Sequence, residues 1–414
     1  MNRRAAVIGS WLVGLAAGCP SPQGKPPVLP KDPASGSEDA ATQAHLFSEL
    51  QDDILSSYER DEPLELGTGM IDPRIGAVRI GVGPDDVYIT GTGDRPPGGA
   101  AGHADHLRRW PLELDGATRA EARSKRLEIQ IAADQTAAWM ADDLSWRITM
   151  CHRTVVIPLR MTALYAHDGD RWVPVFEHLS FGFAPTPSDG PPPRAIKTAV
   201  VSGDLRDTLS GILSRGLFPD PRDPAIPRDP SGIAQDPSAL VLGPDAGLGP
   251  EAGDEWHGEQ VLHARLPGGR LEDRRVGLVG RDPAAATVAY WVGTYLADVP
   301  ARPGLAAGKV RMRVTHVFEK RHPAGRAREL SEADSCAPPK ETAKAKDKNA
   351  DCRWMLVQSH MSQAITDAEL TNKVFGTARL SLDPLALDCS DGTSPTAPAA
   401  EPRPGSALPA AQTP

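Results

Sequence analysis

The stretch RWVPVFEHLS at residues 171–180 returns as RWMLVQSHMS at residues 353–362. Each copy reads Arg-Trp, five residues, His, one residue, Ser. Upstream, GPD occurs at 83–85 and 243–245, Gly-Asp at 93–94 and 253–254, and a Gly at 98 and 258. Ala-Trp at 138–139 answers Tyr-Trp at 290–291, and LRMT at 159–162 answers MRVT at 312–315. The matches are collinear, and spacings change only where loops differ in length. Such a series is the mark of a tandem duplication.

Each half reads alike. A helical segment opens it, FSELQDDILSSY at 47–58 and DLRDTLSGILSRGLF at 204–218, with apolar residues at helical spacing. A short apolar strand follows, VYIT at 87–90 and ALVL at 239–242. Three strands rich in β-branched and aromatic residues end it, the echoed segment last. Helix first and antiparallel meander last gives an α+β class.

In a regular strand, His178 and Ser180 share a face, as do His360 and Ser362. Trp172 and Trp354 join them if nothing interrupts the alternation. Pro174 has no N–H for a ladder, so the first copy lies at an edge or carries a bulge there. HDGDR at 167–171 signals a hairpin. A three-residue loop would set Arg160 against His178 and Thr162 against Phe176, whereas a two-residue turn would flip that register.

The ends have another character. Asn2-Arg3-Arg4 and the apolar AAVIGSWLVGLAA at 5–17 read as a signal peptide over residues 1–18, too short for a permanent span. The segment closes in LAAGC, which resembles the lipobox of bacterial lipoproteins and makes Cys19 the lipidated residue. Residues 19–43 then read as a tether, and 381–414 as a Pro/Ala/Ser tail without order. The resemblance implies a bacterial cell envelope location, lipid-anchored to a membrane and facing the periplasm.

The net charge is −9. That balance argues against nucleic acid as a partner, since phosphate binders present dense basic faces. In an oxidising compartment Cys151, Cys336, Cys352 and Cys389 allow three pairings. Cys336–Cys352 is favoured because it closes the Lys-rich loop, leaving Cys151 with Cys389. No metal and no cofactor is expected: His103 and His106 beside Asp105 carry no zinc signature. TGTGDRPPGG at 90–99 lacks the Lys-Ser/Thr of a phosphate loop.

The order of short strand, GD-x-x-x-G loop, R-x-T strand and terminal W-x5-H-x-S strand resembles SnoaL-like domains of the nuclear transport factor 2-like superfamily. The resemblance implies two tandem cone-shaped domains, each a curved antiparallel sheet wrapped around helices with a pocket at its mouth. It places the first at 44–184 and the second at 200–380, joined by a linker at 185–199. An insertion at 319–351 precedes the second echo, and TDAELTNKVFG at 366–376 reads as an appended helix with a capping box. Members of this superfamily often dimerise through the sheet, so an internal pseudo-dimer is expected.

The candidate ligand-binding residues are Arg160, Thr162, His178 and Ser180, with their copies Arg313, Thr315, His360 and Ser362. Arg beside His suits a carboxylate or similar anion. The bland alternative is a structural polar cluster in which these groups satisfy one another. Trp139, Trp291, Trp172 and Trp354 read as core. The function expected is non-catalytic binding of a small molecule or an envelope protein. The alternative is an isomerase- or cyclase-type acid/base enzyme using His178 or His360.

Overall fold

The computed structural model describes residues 38–60, 64–67, 70–90, 117–150, 153–187, 192–218, 229–245, 253–264, 266–280, 282–299, 301, 306–322, 336, 352–366 and 369–370. The calls at Cys19, His103, His106, Asp105, Cys151 and Cys389, and the loop from 91 to 116, lie outside these residues.

The described residues open on α1 (Glu38–Arg60). Leu46, Leu50, Ile54 and Tyr58 recur every fourth residue, form one stripe and are buried. Then come β1 (Val78–Ile80), β2 (Val87–Ile89), β3 (Ala117–Ile131), β4 (Ala137–Met150), β5 (Arg153–His167) and β6 (Trp172–Phe181). They form one sheet in the order β2-β1-β6-β5-β4-β3. The α1 stripe packs on the face carrying Met140, Leu144, Trp146, Met161 and Tyr165.

The second half runs β7 (Ala199–Val200), α2 (Gly203–Gly216), β8 (Leu240–Leu242), β9 (Glu255–His257), β10 (Gly269–Val279), β11 (Val288–Val299), β12 (Gly308–Arg321) and β13 (Arg353–Gln363). Its sheet order is β7-β10-β11-β12-β13-β8-β9. Read from the far edge, this repeats the first sheet strand for strand, with β7 added. In both, a three-residue strand pairs in parallel with the last strand, Ile80 beside His178 and Leu242 beside His360.

Register corrects the sequence matching in three places. Ile80 pairs with Val87 and Leu242 with Glu255, so β1 answers β8 and β2 answers β9. VYIT is therefore the counterpart of Glu255–His257, not of ALVL. Gly81 answers Gly243, and the N–H groups of both donate to an Asp carbonyl, of Asp86 and Asp254 respectively. The GPD and Gly-Asp matches were thus slipped. So was Ala-Trp with Tyr-Trp: Trp139 opposes Leu164, while Trp291 opposes His316 and faces the other side of its sheet.

Both terminal strands carry a bulge at the same place. The ladder passes from Leu164↔Phe176 to Tyr165↔Pro174, leaving Val175 unpaired. It passes from Val317↔Gln358 to Phe318↔Leu356, leaving Val357 unpaired. An extra residue flips the alternation. Trp172 and Trp354 therefore lie opposite to the His and Ser of their own motifs. Pro174 forecast the first bulge; the second has no Pro. A matched pair of bulges sits in β3 and β10, at Lys125 and Glu272.

The linker is clamped rather than slack. Thr186 exchanges two hydrogen bonds with Gln363, at 2.8 and 2.7 Å. Arg194 N–H donates to the Pro84 carbonyl and Ile196 N–H to Asp273. The capping-box contacts are made: Thr366 N–H and Oγ donate to Glu369, and Glu369 N–H returns to Thr366 Oγ. Residues 367–368 and 371–376 of the expected appended helix lie outside the described residues. Among the described residues no helix is long and apolar enough to cross a membrane.

Candidate functional site

The eight sequence-chosen residues come together, between the halves. Thr162 pairs with His178 and Arg160 with Ser180; Thr315 pairs with His360 and Arg313 with Ser362. Each quartet shares one face, and the first stands one pair along from the expected register. The two faces meet. The His178 and His360 rings stack with centroids 4.0 Å apart and planes 24° from parallel.

Each imidazole is held by the opposite half. His178 Nδ1 is 3.1 Å from Thr315 Oγ1 and its Nε2 is 2.7 Å from Ser362 Oγ. His360 Nδ1 is 3.0 Å from Thr162 Oγ1 and its Nε2 is 2.8 Å from Ser180 Oγ. A hydroxyl can donate or accept, so all four ring nitrogens are satisfied whichever tautomer is present. Both histidines have 0% exposure. Burial drives both pKa values down: His178 falls well below the usual imidazole range, aided by His360 and Arg313, and His360 to about 3, aided by Arg160. Two neutral rings resolve the stack, since two charged ones would repel.

The arginines reach across as well. Arg313 donates to the carbonyls of Gly81 and Pro84 at 3.0 and 2.6 Å. Arg160 donates to the Gly243 carbonyl at 3.3 Å and to Glu255 at 3.1 Å. Glu255 is held at about pKa 2, first by His257 and then by Arg126, so it stays charged against Arg160. Burial lowers Arg160, and Glu255 opposes that. Both terminal nitrogens of each guanidinium thus already have partners within the chain, while the buried Arg313 Nε has none. At Gly243 a Cβ would stand 2.5 Å from Asp254 Cβ, and at Gly81 2.7 Å from Asp86 Cβ. Glycine lets these turns lie flat under the guanidinium.

Apolar packing completes the seam. Phe176 meets Tyr290 at 6.3 Å between centroids, and Gln358 donates to the Met140 carbonyl at 2.9 Å. The faces turned to the helices hold a different chemistry in each half. In the first, Arg79 pairs with Glu177 at 2.6 Å, both buried. Asp142, on β4, is 3% exposed and accepts from Ser124 Oγ at 3.0 Å and Arg126 N–H at 3.3 Å. Burial raises its pKa to about 6, against hydrogen bonds from Ser124, Arg126 and Tyr58. In the second half the ladder sets Gly293 where the first has Asp142, and Ser359 where the first has Glu177. His316 occupies that interior, Nδ1 3.0 Å from Ser359 and pKa lowered to about 3 by burial.

Sequence reasoning missed Asp142. Two adjacent aspartates in a strand must face opposite ways, and the pair Asp142-Asp143 gave no sign which faces inward. Asp142 also spans the β3 bulge, so its carboxylate has structural work to do.

Two clefts open where loops of the halves meet. One, of about 350 Å³, is lined by Met70, Asp134, His167, Asp168, Val279 and Asp282 among others. The other, of about 410 Å³, is lined by Met70, Ile71, Arg74, Val201, Leu278 and Pro283 among others. They share Met70 and Gly280. None of the eight sequence-chosen residues lines either cleft.

The expected bridge is present: Cys336 and Cys352 are disulfide-bonded, with Cα atoms 6.0 Å apart.

No protein-family profile matches the chain, and no curated protein matches it. Among solved structures, an NTF2-like family protein of Streptomyces avermitilis, provisionally assigned as a dehydratase, is 12% identical with a TM-score of 0.25. That match covers 34% of this chain and 99% of the other. A chain named Rd1NTF2_05, carrying five substitutions, is 14% identical over 34% of this chain and 99% of its own, at a TM-score of 0.18. An NTF2-like protein involved in plasmid conjugation is 9% identical over 48% of this chain and 70% of its own, at 0.14. These are likenesses to proteins of NTF2-like fold, and at such scores they assign this chain to no family.

Proposed function

We propose that this is a lipid-anchored protein of a bacterial cell envelope, facing the periplasm, whose two SnoaL-like domains lock together as an internal pseudo-dimer and bind a small molecule without transforming it. The observation that carries the non-catalytic reading is the seam. The histidines that could have served as acid or base stack on each other at 0% exposure, with every ring nitrogen engaged. The binding site is the pair of clefts around Met70. Their floor is apolar and one rim carries Asp134, Asp168 and Asp282, which suits a neutral or basic molecule with an apolar body rather than an anion.

Native mass spectrometry of the full chain in detergent tests this. A small molecule should co-purify, and Met70→Trp, which fills the shared wall, should remove it. Undiminished retention in that variant would place the site elsewhere.

One observation favours a second reading, an acid/base enzyme of isomerase or cyclase type. Asp142 is buried in the first half with its pKa near 6, where a carboxyl can exchange a proton at neutral pH. Conversion of the co-purified molecule, lost in Asp142→Asn with melting no lower than the parent's, would establish it over the binding reading.

A further inference from the structure

Beside the disulfide stands His322, whose Nε2 is 3.5 Å from Cys352 Sγ. Its place is not accidental. The β12–β13 ladder ends at Arg321↔Arg353, so the next opposed pair would be His322 and Cys352. The sheet therefore holds these two side chains at the mouth of the hairpin. Cys336, which lies between them in sequence, is buried. The imidazole nitrogen and both sulfurs lie within 4.8 Å of one another.

We propose that this trio is a redox-gated metal clip: a disulfide when oxidised, and a Cys₂His site for a thiophilic divalent cation, zinc above all, when reduced. Two thiolates and one imidazole are a zinc donor set, and water takes the fourth position in such open sites. Donor atoms around a tetrahedral zinc stand roughly 3.4–3.8 Å apart. The trio needs only a small movement to reach that spacing, with two of its three members fixed by the sheet. No other group of three or more His, Cys, Asp or Glu among the described residues gathers in this way.

The chemistry balances. A dithiol reductant attacks the half-exposed Cys352 sulfur, is itself oxidised to its disulfide, and leaves two thiols on the chain. Zinc then binds both sulfurs, and the two thiol protons pass to solvent. A disulfide oxidant reverses the order: it takes two electrons from the thiolates, is reduced to its dithiol with two protons from solvent, and zinc leaves as the sulfurs rejoin. Either state ties Cys336 to the end of the hairpin, so that residue is held under both redox conditions.

The test uses the full chain with Cys19→Ser, Cys151→Ser and Cys389→Ser, so that no other thiol competes. Zinc is titrated against a chromophoric chelator, with and without a dithiol, under argon. The reduced chain should take up one zinc and the oxidised chain none. Cobalt in place of zinc should show thiolate-to-metal charge-transfer absorption. His322→Gln, which leaves the disulfide intact, should weaken zinc uptake by at least ~100-fold, since losing even an outer-shell partner costs ~10–100-fold. Reduction should lower the melting temperature and zinc should restore it. No uptake by the reduced chain, equal uptake by the oxidised chain, unchanged affinity in His322→Gln, or no recovery of melting would each overturn the proposal.

Discussion

Lowering the pH should prise the seam apart, and by an amount the buried histidines determine. In the folded chain His360 has a pKa near 3 and His178 lies well below the usual range. In the unfolded chain both return to about 6.5. The unfolded state therefore binds more protons between those limits, and stability falls as pH falls. The contribution is fully present above pH ~6.5 and drains away toward the folded values. From pH 7 to pH 5, one such histidine removes about 2 kcal/mol, and the pair about 4 kcal/mol.

Other groups also make stability depend on pH. Asp142, Asp273, Asp53 and Glu319 have raised values and gain stability as pH falls, while His316 behaves like the seam pair. A difference measurement removes them. Urea unfolding at pH 7, 6 and 5 should be run on the parent chain and on His178→Gln/His360→Gln. The parent should lose about 4 kcal/mol more than the variant over that range, and the single variant His360→Gln should sit midway. Parallel pH curves would refute the reasoning, because they would mean that the rings can take protons while folded and so are not sealed between the halves.

Four further outcomes follow. Asp142→Asn should stabilise the chain at pH 8 relative to pH 4, by up to about 3 kcal/mol, since a carboxyl with raised folded pKa costs stability above it; chemical denaturation at the two pH values measures this. Reducing Cys336–Cys352 without added metal should cost about 3 kcal/mol, read as a lower melting temperature in the presence of a dithiol. Gly243→Ala should destabilise by roughly 1–3 kcal/mol through its clash with Asp254, again by melting. Thr162→Val and Thr315→Val should each cost about 1–3 kcal/mol by leaving an imidazole nitrogen unpaired, and the two costs should agree closely; a gap above about 1.5 kcal/mol would contradict the equivalence of the two sites.

What could be read from the chain, and what could not, has a physical pattern. Face membership survived error: a hairpin shifted by an even number of residues keeps Arg160, Thr162, His178 and Ser180 on one side. Trp172 and Trp354 did not survive, because a bulge flips every residue beyond it and Val357 announces nothing. The strand VRI at 78–80 was passed over because three residues carry no period. VYIT was matched to ALVL because both are short and apolar, although one is the outer strand and the other the inner. The side on which the echoed face lies was a question of the other half, not of the strand, and no local pattern answers that. The structural alternative weighed against a pocket, side chains satisfying one another, is how the contacts fall.

The echo itself now has a cause. An isologous contact requires that one surface meet its own copy, so residue and partner must serve both roles at once. His178 needs Thr315 and Ser362, and the same requirement seen from the other side is that His360 needs Thr162 and Ser180. Changing one member strands a buried polar atom in the opposite half, at a cost of about 1–3 kcal/mol. The faces turned to the helices meet no copy and are free to differ, and they do: Asp142 against Gly293, Glu177 against Ser359. The echoed motif thus marks where the two halves touch, whereas chemistry particular to one half lies among the residues that do not repeat. By that logic the interior of the first half, with Asp142, Arg79 and Glu177, is where an activity would have to reside if the chain has one, and the residues most alike between the halves are the least able to supply it.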